Sequence, residues 1–329
     1  MIDPDIRRFV GAIDRGYARY PCFDSLPMER KRSIAAATRA PWCAGGPAVE
    51  RISEATTRRF DVRVRVYDPG GPEPCPAIAY MHGGGWTFFG IDTHDRLMRE
   101  YAARTGAIVI GVDYSLAPEH TFPRQIEEVV DVVDWLSDGG AAPRADGGRI
   151  VLAGDSAGAT LALAAALALR DAGRPGIVDA LVLNYGAFDS ECTSDSHRHF
   201  GDGSYLLSTT EMRWMWEQYL GADENRANPL ACPLLAELSG LPPCFLVIAE
   251  SDILHDENVA LAARLNAAGV PTQSIVYPGT VHGFLEAVAV ARVSGKALED
   301  TTRWLRPIFD GQSHVGPAAT VEPRDDRTD

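Results

Sequence analysis

Short apolar runs alternate with longer stretches of helical spacing along most of this chain. From about residue 58 onward, the runs are rich in β-branched residues, as buried parallel strands are. The predicted strands are 59–66, which alternates apolar and polar residues as an edge strand would, and 77–81, 107–112, 150–153, 180–184, 244–249 and 273–277. The predicted helices are 125–136, 156–171, 256–268 and 295–306. This alternation predicts an α/β domain whose mostly parallel sheet is covered by helices on both faces.

Two stretches do not follow this rhythm, residues 1–50 and residues 189–235, and the second contains the aromatic-rich segment Met212–Trp216. We expect both to form a helical cap over the active site. The catalytic core then comprises residues 51–188 and 236–310. Residues 311–329 are rich in Pro, Asp, Arg and Thr, a composition typical of a disordered tail.

Composition narrows the class of protein. A length of 329 residues fits one catalytic domain with a small cap. The net charge of −14 disfavours nucleic acids and anionic membranes as partners, because the field of the protein repels polyanions. The six cysteines have no C-x-x-C pair and no spacing with histidines that suits a metal, so we expect free thiols and no metal site. With neither a basic leader nor an apolar stretch of about 18 residues, the expected location is the cytoplasm.

Two glycine-rich motifs carry the candidate chemistry. His82-Gly83-Gly84-Gly85-Trp86 and Gly154-Asp155-Ser156-Ala157-Gly158 each follow an apolar run. The second fits a nucleophile elbow, in which small residues flank a serine on a strained strand-to-helix turn, and the first fits a loop that offers backbone N–H groups to an oxyanion. Together, and in this order, they indicate a serine hydrolase.

A serine nucleophile needs a general base and an acid that orients it. In this type of fold the acid and then the histidine follow the serine along the chain. His282 lies after the last predicted strand, and Asp252 lies after the strand before it. Glu250 is the alternative acid, and Asp256 is expected to cap the following helix.

The remaining site candidates surround these three residues. The N–H groups of Gly83, Gly84 and Ala157 are the predicted oxyanion donors, while His82 and Asp155 are expected to maintain loop geometry. The candidates for substrate contact are Trp86, Phe88, Tyr185 and Trp214. Trp86 and Phe88 fit a role as core aromatics equally well, and Trp214 fits an ordinary packed helix face. No metal or organic cofactor is expected.

Four segments outside the two glycine-rich motifs also match a known family. Residues 113–123, Asp-Tyr-Ser-Leu-Ala-Pro-Glu-His-Thr-Phe-Pro, resemble the DYRLAPEHPFP segment of the bacterial hormone-sensitive lipase family of α/β-hydrolases, and residues 241–243, 252–256 and 282–284 resemble its LPP, DPLRDE and HGF regions. The resemblance covers roughly residues 58–308. It implies an α/β-hydrolase fold with a mostly parallel eight-stranded sheet and a helical cap, and it implies the same triad and oxyanion donors. Ser115 replaces the family's arginine, which is expected to remove an ion pair near Glu119.

The leading hypothesis is therefore a serine carboxylesterase that hydrolyses short-acyl esters, acetyl to butyryl, through an acyl-enzyme intermediate. Its partner is a small-molecule ester, and the family it resembles often forms homodimers. Three alternatives stay open: hydrolysis of an amide or an acetylated metabolite, acyl transfer to an alcohol other than water, and a non-catalytic small-molecule receptor. Receptors on related folds tend to lose the histidine, which this chain retains as His282.

Overall fold

The computed structural model describes residues 1–71, 75–140 and 145–312, so the expected tail lies outside the described residues from position 313 onward. Within these ranges there are eight strands and nine α-helices. The strands are β1 Arg51–Thr56, β2 Arg63–Asp68, β3 Cys75–Met81, β4 Ile108–Val112, β5 Ala145–Asp155, β6 Ala180–Asn184, β7 Cys244–Ser251 and β8 Thr272–Val281. The helices are α1 Pro4–Tyr17, α2 Met28–Cys43, α3 Asp95–Thr105, α4 Arg124–Ser137, α5 Ala157–Asp171, α6 Asp195–Phe200, α7 Thr209–Leu220, α8 His255–Ala267 and α9 Arg292–Phe309.

All eight strands belong to one sheet, in the order β1-β2-β4-β3-β5-β6-β7-β8. Strands β1 and β2 are antiparallel to each other, and β2 is antiparallel to β4, whereas every other neighbouring pair is parallel. The parallel part places the carboxyl ends of β3, β5, β6, β7 and β8 along one edge. The predicted mostly parallel eight-stranded sheet is confirmed.

Alternation along the strands builds two apolar cores. In β3, Ala79 and Met81 point into a core shared with α4, α5 and α8, whereas Ile78 and Tyr80 point into a core shared with α1, α3 and α9. Successive strand residues face opposite sides of a sheet, so a strand with apolar residues at every position requires cover on both faces. The predicted helices on both faces are confirmed.

The edge of the sheet differs from the prediction. Residues 57–62 form the turn between β1 and β2, and the register pairs Thr56 with Arg63, so the predicted strand 59–66 is wrong at its start. The apolar–polar alternation that suggests it begins at Phe60, inside the turn. Strand β1 carries no buried residue, and its sequence therefore gives no period-two signal. The predicted helices also omit α3.

The first 43 residues form two helices that contact the main domain. Helix α1 buries Ile6, Phe9 and Ile13 in the same core as α9. The Asp3 carboxylate caps this helix by accepting from the Asp5 N–H at 2.8 Å. Helix α2 contacts α3 and the 3-10 helix Phe284–Ala289. The division of the chain into core and cap stays a prediction.

The segment around Ser115 is held by different partners from those expected. The Ser115 hydroxyl donates to Glu128 at 2.6 Å, and Glu128 also accepts from Arg124 at 2.7 Å. Glu119 pairs instead with Arg32 of α2, at 2.6 Å. The expected loss of an ion pair near Glu119 is therefore wrong, because a cation from a distant helix takes the place of the missing arginine.

The described residues contain no helix whose length and apolar character would let it cross a bilayer. The six cysteines lie within the described ranges and are thiols, not disulfides. Across the same ranges, no group of three or more His, Cys, Asp or Glu side chains is arranged to hold a metal ion.

Candidate active site

Ser156 lies on a sharp turn between β5 and α5. Its backbone has φ 53° and ψ −123°, a conformation that costs a non-glycine residue about 1–3 kcal/mol and persists only where the surrounding structure enforces it. The Ser156 N–H donates to the carbonyl of Asn184 on the neighbouring strand at 2.9 Å. The turn places the hydroxyl at the carboxyl edge of the sheet.

Close backbone packing explains the glycines on either side of this turn. A Cβ atom on Gly158 would lie 2.0 Å from the carbonyl oxygen of Met81 in β3. A Cβ atom on Gly154 would lie 2.4 Å from the carbonyl carbon of Gly158. Any larger residue at either position would push helix α5 away from the sheet.

The predicted base and acid form a chain of two hydrogen bonds that starts at the serine hydroxyl. His282 Nε2 is 2.9 Å from Ser156 Oγ, and His282 Nδ1 is 2.8 Å from Asp252 Oδ2. A carboxylate only accepts, so Nδ1 carries a proton and Nε2 is free to accept the serine proton. Asp252 Oδ1 accepts from the Leu254 N–H at 3.0 Å, which fixes the carboxylate after β7.

The surroundings of His282 favour its charged form. Burial disfavours the imidazolium, but the charge and hydrogen bond of Asp252 outweigh it, and the pKa of His282 lies above its ordinary value. Tyr185 packs edge-on against the ring, with centroids 5.3 Å apart. This ring is therefore held in orientation on two sides.

The other candidates near the acid contact different groups. Glu250 accepts from the Gly279 N–H at 2.8 Å and makes no contact with His282 among the described hydrogen bonds. Asp256 accepts from the Ser196 N–H of α6 at 2.8 Å and does not cap α8, so that expectation is wrong. The structure thus brings together Asp252, and not Glu250, with the histidine.

The predicted set of oxyanion donors requires one correction. The Gly83 N–H donates to Asp155 Oδ1 at 3.1 Å, so it is not free. Among the described hydrogen bonds, none is donated by the N–H group of Gly84, Gly85 or Ala157. Gly84 has φ 114°, and its Cβ would lie 2.3 Å from the Phe88 carbonyl oxygen, which explains the glycine there. The free donors near Ser156 are therefore Gly84, Gly85 and Ala157.

His82 maintains the geometry of this loop, as predicted. Its Nδ1 donates to the Gly83 carbonyl at 2.7 Å, and its ring stacks on Tyr114 with centroids 4.3 Å apart. The Tyr114 hydroxyl also donates to the His82 carbonyl at 2.8 Å. Burial, with the charge of His94, lowers the pKa of His82 to about 3, so the ring is neutral at pH 7.

Arg32 binds the far end of the same loop, a contact that the sequence does not predict. Its Nε donates to the Thr87 carbonyl at 2.8 Å, and its Nη2 donates to the Ala117 carbonyl at 2.8 Å. The Ala117 N–H in turn donates to the Trp86 carbonyl at 2.8 Å. A helix near the start of the chain thus anchors the loop. No short-range sequence signal marks a contact between residues 55 positions apart.

The four candidates for substrate contact separate into two groups. Trp86 is fully buried, with its ring 4.2 Å from that of Tyr219, and it is a core residue and not a pocket residue. Tyr185 is 1% exposed and supports His282, so its side chain is also not available to a substrate. Phe88 and Trp214 lie with ring centroids 5.9 Å apart, so the oxyanion loop and helix α7 are in contact at this point.

Met215 of helix α7 is a further pocket candidate. A Cβ on Gly85 would lie 2.1 Å from Met215 Sδ, so this side chain covers the oxyanion loop directly. In the sequence, Met215 stands out only as part of an aromatic-rich helix. Its contact with Gly85 joins segments 130 positions apart, and only the fold brings them together.

Comparison with known proteins gives consistent results. A family model described as the alpha/beta hydrolase fold matches residues 78–286. An acetyl esterase from Salmonella paratyphi A is 38% identical over 280 residues, which cover 84% of this chain and 86% of the relative. An acetyl esterase from Salmonella agona is 37% identical over the same share of both chains.

Solved structures of esterases are also similar. A hyperthermophilic esterase from the archaeon Pyrobaculum calidifontis has a TM-score of 0.86 and 31% identity, covering 94% of this chain and 98% of the other. An ester-hydrolase from the metagenome of Lake Arreo, in complex with a bipyridine phosphonate derivative, has a TM-score of 0.87 and 33% identity, covering 94% and 100%.

Proposed function

Since this chain belongs to the bacterial hormone-sensitive lipase family of α/β-hydrolases and is a serine carboxylesterase, we propose that it hydrolyses short-acyl esters through an acyl-enzyme formed on Ser156. The observation that carries the proposal is the hydrogen-bonded sequence from Ser156 through His282 to Asp252, with distances of 2.9 and 2.8 Å.

Acylation begins when Ser156 Oγ attacks the ester carbonyl carbon. His282 Nε2 takes the serine proton as the new C–O bond forms, and Asp252 stabilises the resulting imidazolium. When the tetrahedral intermediate collapses, His282 returns the proton to the leaving alcohol. A water molecule then repeats the sequence on the acyl-enzyme and releases the acid and the free serine.

The negative charge of both tetrahedral intermediates needs donors that are not already used. Gly84, Gly85 and Ala157 offer N–H groups without another acceptor among the described hydrogen bonds, and Ala157 is also the first residue of helix α5. A helix N-terminus favours negative charge. This set supports an oxyanion hole that excludes Gly83.

Three side chains support a preference for short acyl groups. Phe88 of the oxyanion loop contacts Trp214 of α7, with ring centroids 5.9 Å apart, and Met215 of the same helix covers Gly85. The relatives from Salmonella carry the name acetyl esterase. We propose that these three residues limit the acyl chain to about four carbons, which fits a pocket closed by bulky apolar side chains.

The first test is steady-state hydrolysis of p-nitrophenyl esters from acetate to laurate by wild type and Ser156→Ala. We expect wild-type kcat/KM to fall beyond butyrate and the variant to lose at least about 10³-fold at every chain length. A variant that keeps its activity contradicts the nucleophile, whereas equal wild-type rates on acetate and laurate contradict the chain-length limit.

Met215→Ala tests the pocket without touching the triad. Removal of the thioether opens space next to Gly85, so the ratio of hexanoate to acetate activity should rise about tenfold or more, since each methylene in an apolar pocket is worth about 1–3 kcal/mol. An unchanged ratio would remove Met215 from the pocket.

A further inference from the structure

A buried ion pair lies directly behind the oxyanion loop and takes no part in the steps above. His94 Nε2 is 3.3 Å from Asp155 Oδ1, and the two residues are 3% and 4% exposed. Asp155 precedes the nucleophile, and its carboxylate also accepts from the Gly83 N–H at 3.1 Å and from the Tyr80 hydroxyl at 2.8 Å. The pair therefore connects the oxyanion loop to the elbow.

Hydrogen bonding on both sides of the ring indicates that His94 is an imidazolium. Nε2 lies 3.3 Å from Asp155 Oδ1, which only accepts. The Gly83 N–H also lies 3.3 Å from Nε2, but its shorter contact is the one of 3.1 Å to Asp155 Oδ1, so we assign its proton to the carboxylate. Nδ1 lies 3.0 Å from Thr93 Oγ1, and this hydroxyl already donates its single proton to the Gly90 carbonyl at 2.8 Å. Thr93 is thus an acceptor toward the ring. With an acceptor at each nitrogen, both nitrogens carry protons.

The charged groups around the ring agree with this assignment. Burial disfavours the imidazolium, but Asp155 and Glu286 outweigh it, and the pKa of His94 is raised. Burial likewise disfavours the Asp155 carboxylate, but His94 outweighs it, and the pKa of Asp155 is lowered. The other titratable groups facing this region are His82, Tyr80, Cys43, and Arg39, which pairs with Glu286 at 2.9 Å.

The charge matters because the oxyanion forms close to Asp155. A buried carboxylate adjacent to Ser156 would repel the negative charge of a tetrahedral intermediate, and low-dielectric surroundings strengthen that repulsion. Asp155 is nevertheless needed, because it holds the Gly83 N–H and so sets the direction of the next two peptide groups. A cationic partner of Asp155 offsets this repulsion and leaves the hydrogen bond to Gly83 in place.

We propose that His94 is a positioning residue that serves as the counter-ion of Asp155: the pair orients the Gly83 peptide while leaving no net negative charge behind the oxyanion hole. The proposal rests on the proposed function, since it needs an oxyanion at Gly84, Gly85 and Ala157. It concerns only how the hole is kept electrostatically favourable and not which residue attacks the ester.

The test compares His94→Gln, Asp155→Asn and the double variant. Glutamine at 94 retains a donor for Asp155 but not the charge, so kcat should fall roughly tenfold to hundredfold with KM within about twofold, less than the loss of an oxyanion donor. Asparagine at 155 retains an acceptor for Gly83 and should lose less than about tenfold. The double variant removes both charges of the pair and should regain most of the kcat that His94→Gln loses.

A purely structural role gives a different result. A role limited to filling space or making a hydrogen bond predicts no rescue, so the double variant should then be no more active than His94→Gln. That outcome, or a His94→Gln kcat equal to that of wild type, overturns the proposal. Asp131→Asn is the matched control: it changes another buried carboxylate, which binds Thr57 and the Phe60 N–H at the sheet edge, and it should leave kcat unchanged.

Nitrogen NMR of the wild-type protein keeps the proposal falsifiable if the variants do not fold. Both ring nitrogens of His94 should be protonated at pH 7, and a neutral His94 ring overturns the proposal. The Ser156→Ala assay distinguishes failure of the proposed function from failure of the His94 proposal. Activity in that variant refutes the proposed function, whereas failure of the charge rescue refutes only the role of His94.

Discussion

The elbow at residues 154–158 and the oxyanion loop at residues 82–89 are both rich in glycine, yet they are held by different forces. The elbow is defined by backbone contact: Gly158 leaves room for the Met81 carbonyl, and Ser156 is held at a positive φ. The oxyanion loop also has a steric requirement at Gly84, but its position is set by hydrogen bonds with side chains elsewhere in the chain, chiefly Asp155 as acceptor and Arg32 as donor.

This difference determines how much of each loop's structure a short sequence motif predicts. A steric requirement appears in the sequence itself, because only small residues fit, and the elbow is therefore recognisable from five letters. A hydrogen-bond requirement depends on partners that the motif does not contain. The three loop glycines look equivalent in sequence, but the Asp155 carboxylate uses the N–H of Gly83 and leaves those of Gly84 and Gly85 free.

The largest expected effect comes from removing the carboxylate that orients the catalytic base of the elbow serine. Asp252→Asn should lower kcat by about 10³–10⁴-fold, because the ring of His282 loses the partner that selects its tautomer. His282 acts as a base only when neutral, and Asp252 raises its pKa, so activity is lost as pH falls through that raised pKa.

The pH profile checks the same variant independently of its rate. Without the carboxylate, burial is opposed only by the smaller effects of Asp155 and Glu286 on the pKa of His282, so the acid midpoint of kcat/KM should move to lower pH. A midpoint that does not move, or moves upward, would show that Asp252 does not set the pKa of His282.

Gly158→Ala breaks the elbow by steric overlap. The new methyl group would lie 2.0 Å from the Met81 carbonyl oxygen, so the free energy of unfolding should fall by about 3 kcal/mol or more. Gly295→Ala in α9 is the matched control, since no atom lies within 4 Å of its Cβ. That substitution should raise stability by about 0.5–1 kcal/mol. Denaturant unfolding of both variants measures the contrast.

Arg32→Ala tests the other kind of support. The loop loses donors at the Thr87 and Ala117 carbonyls but no steric contact, so kcat should fall roughly tenfold from poorer positioning of the loop. Lysine at this position should recover only part of the loss, because one ammonium does not reproduce the guanidinium fork. Arg30→Ala, an exposed neighbour, should have wild-type kinetics. A lower melting temperature with unchanged kcat would limit Arg32 to a structural role.

Much of the fold follows from local signals. Strands β4 and β6 carry apolar residues throughout, and their predicted bounds agree with the structure to within one residue. Strand β1 was not predictable in this way, because it is an exposed edge strand whose six residues show no alternation of burial. Helix α3 begins after a loop without a side-chain cap, so no capping residue announces it.

The candidate active site likewise contains residues that the sequence predicts and residues whose roles it leaves open. Ser156, Asp252 and His282 follow predicted strands. The elbow motif marks the serine, and chain order then selects the histidine and narrows the acid to Asp252 or Glu250. Trp86 illustrates what chain order does not contain. An aromatic residue next to the oxyanion motif suits a pocket and a core equally, and only the packing of Tyr219 and Trp216 on its ring decides for the core.

The contact between Arg32 and the oxyanion loop has a consequence for engineering. The first 43 residues look exchangeable, since none of them belongs to the triad, and grafting a different N-terminal segment is an obvious route to altered selectivity. Because helix α2 also ties down Thr87 and Ala117, such a graft must carry a guanidinium to the same place. An otherwise well-folded chimera without it would inherit an intact triad beside an unanchored loop.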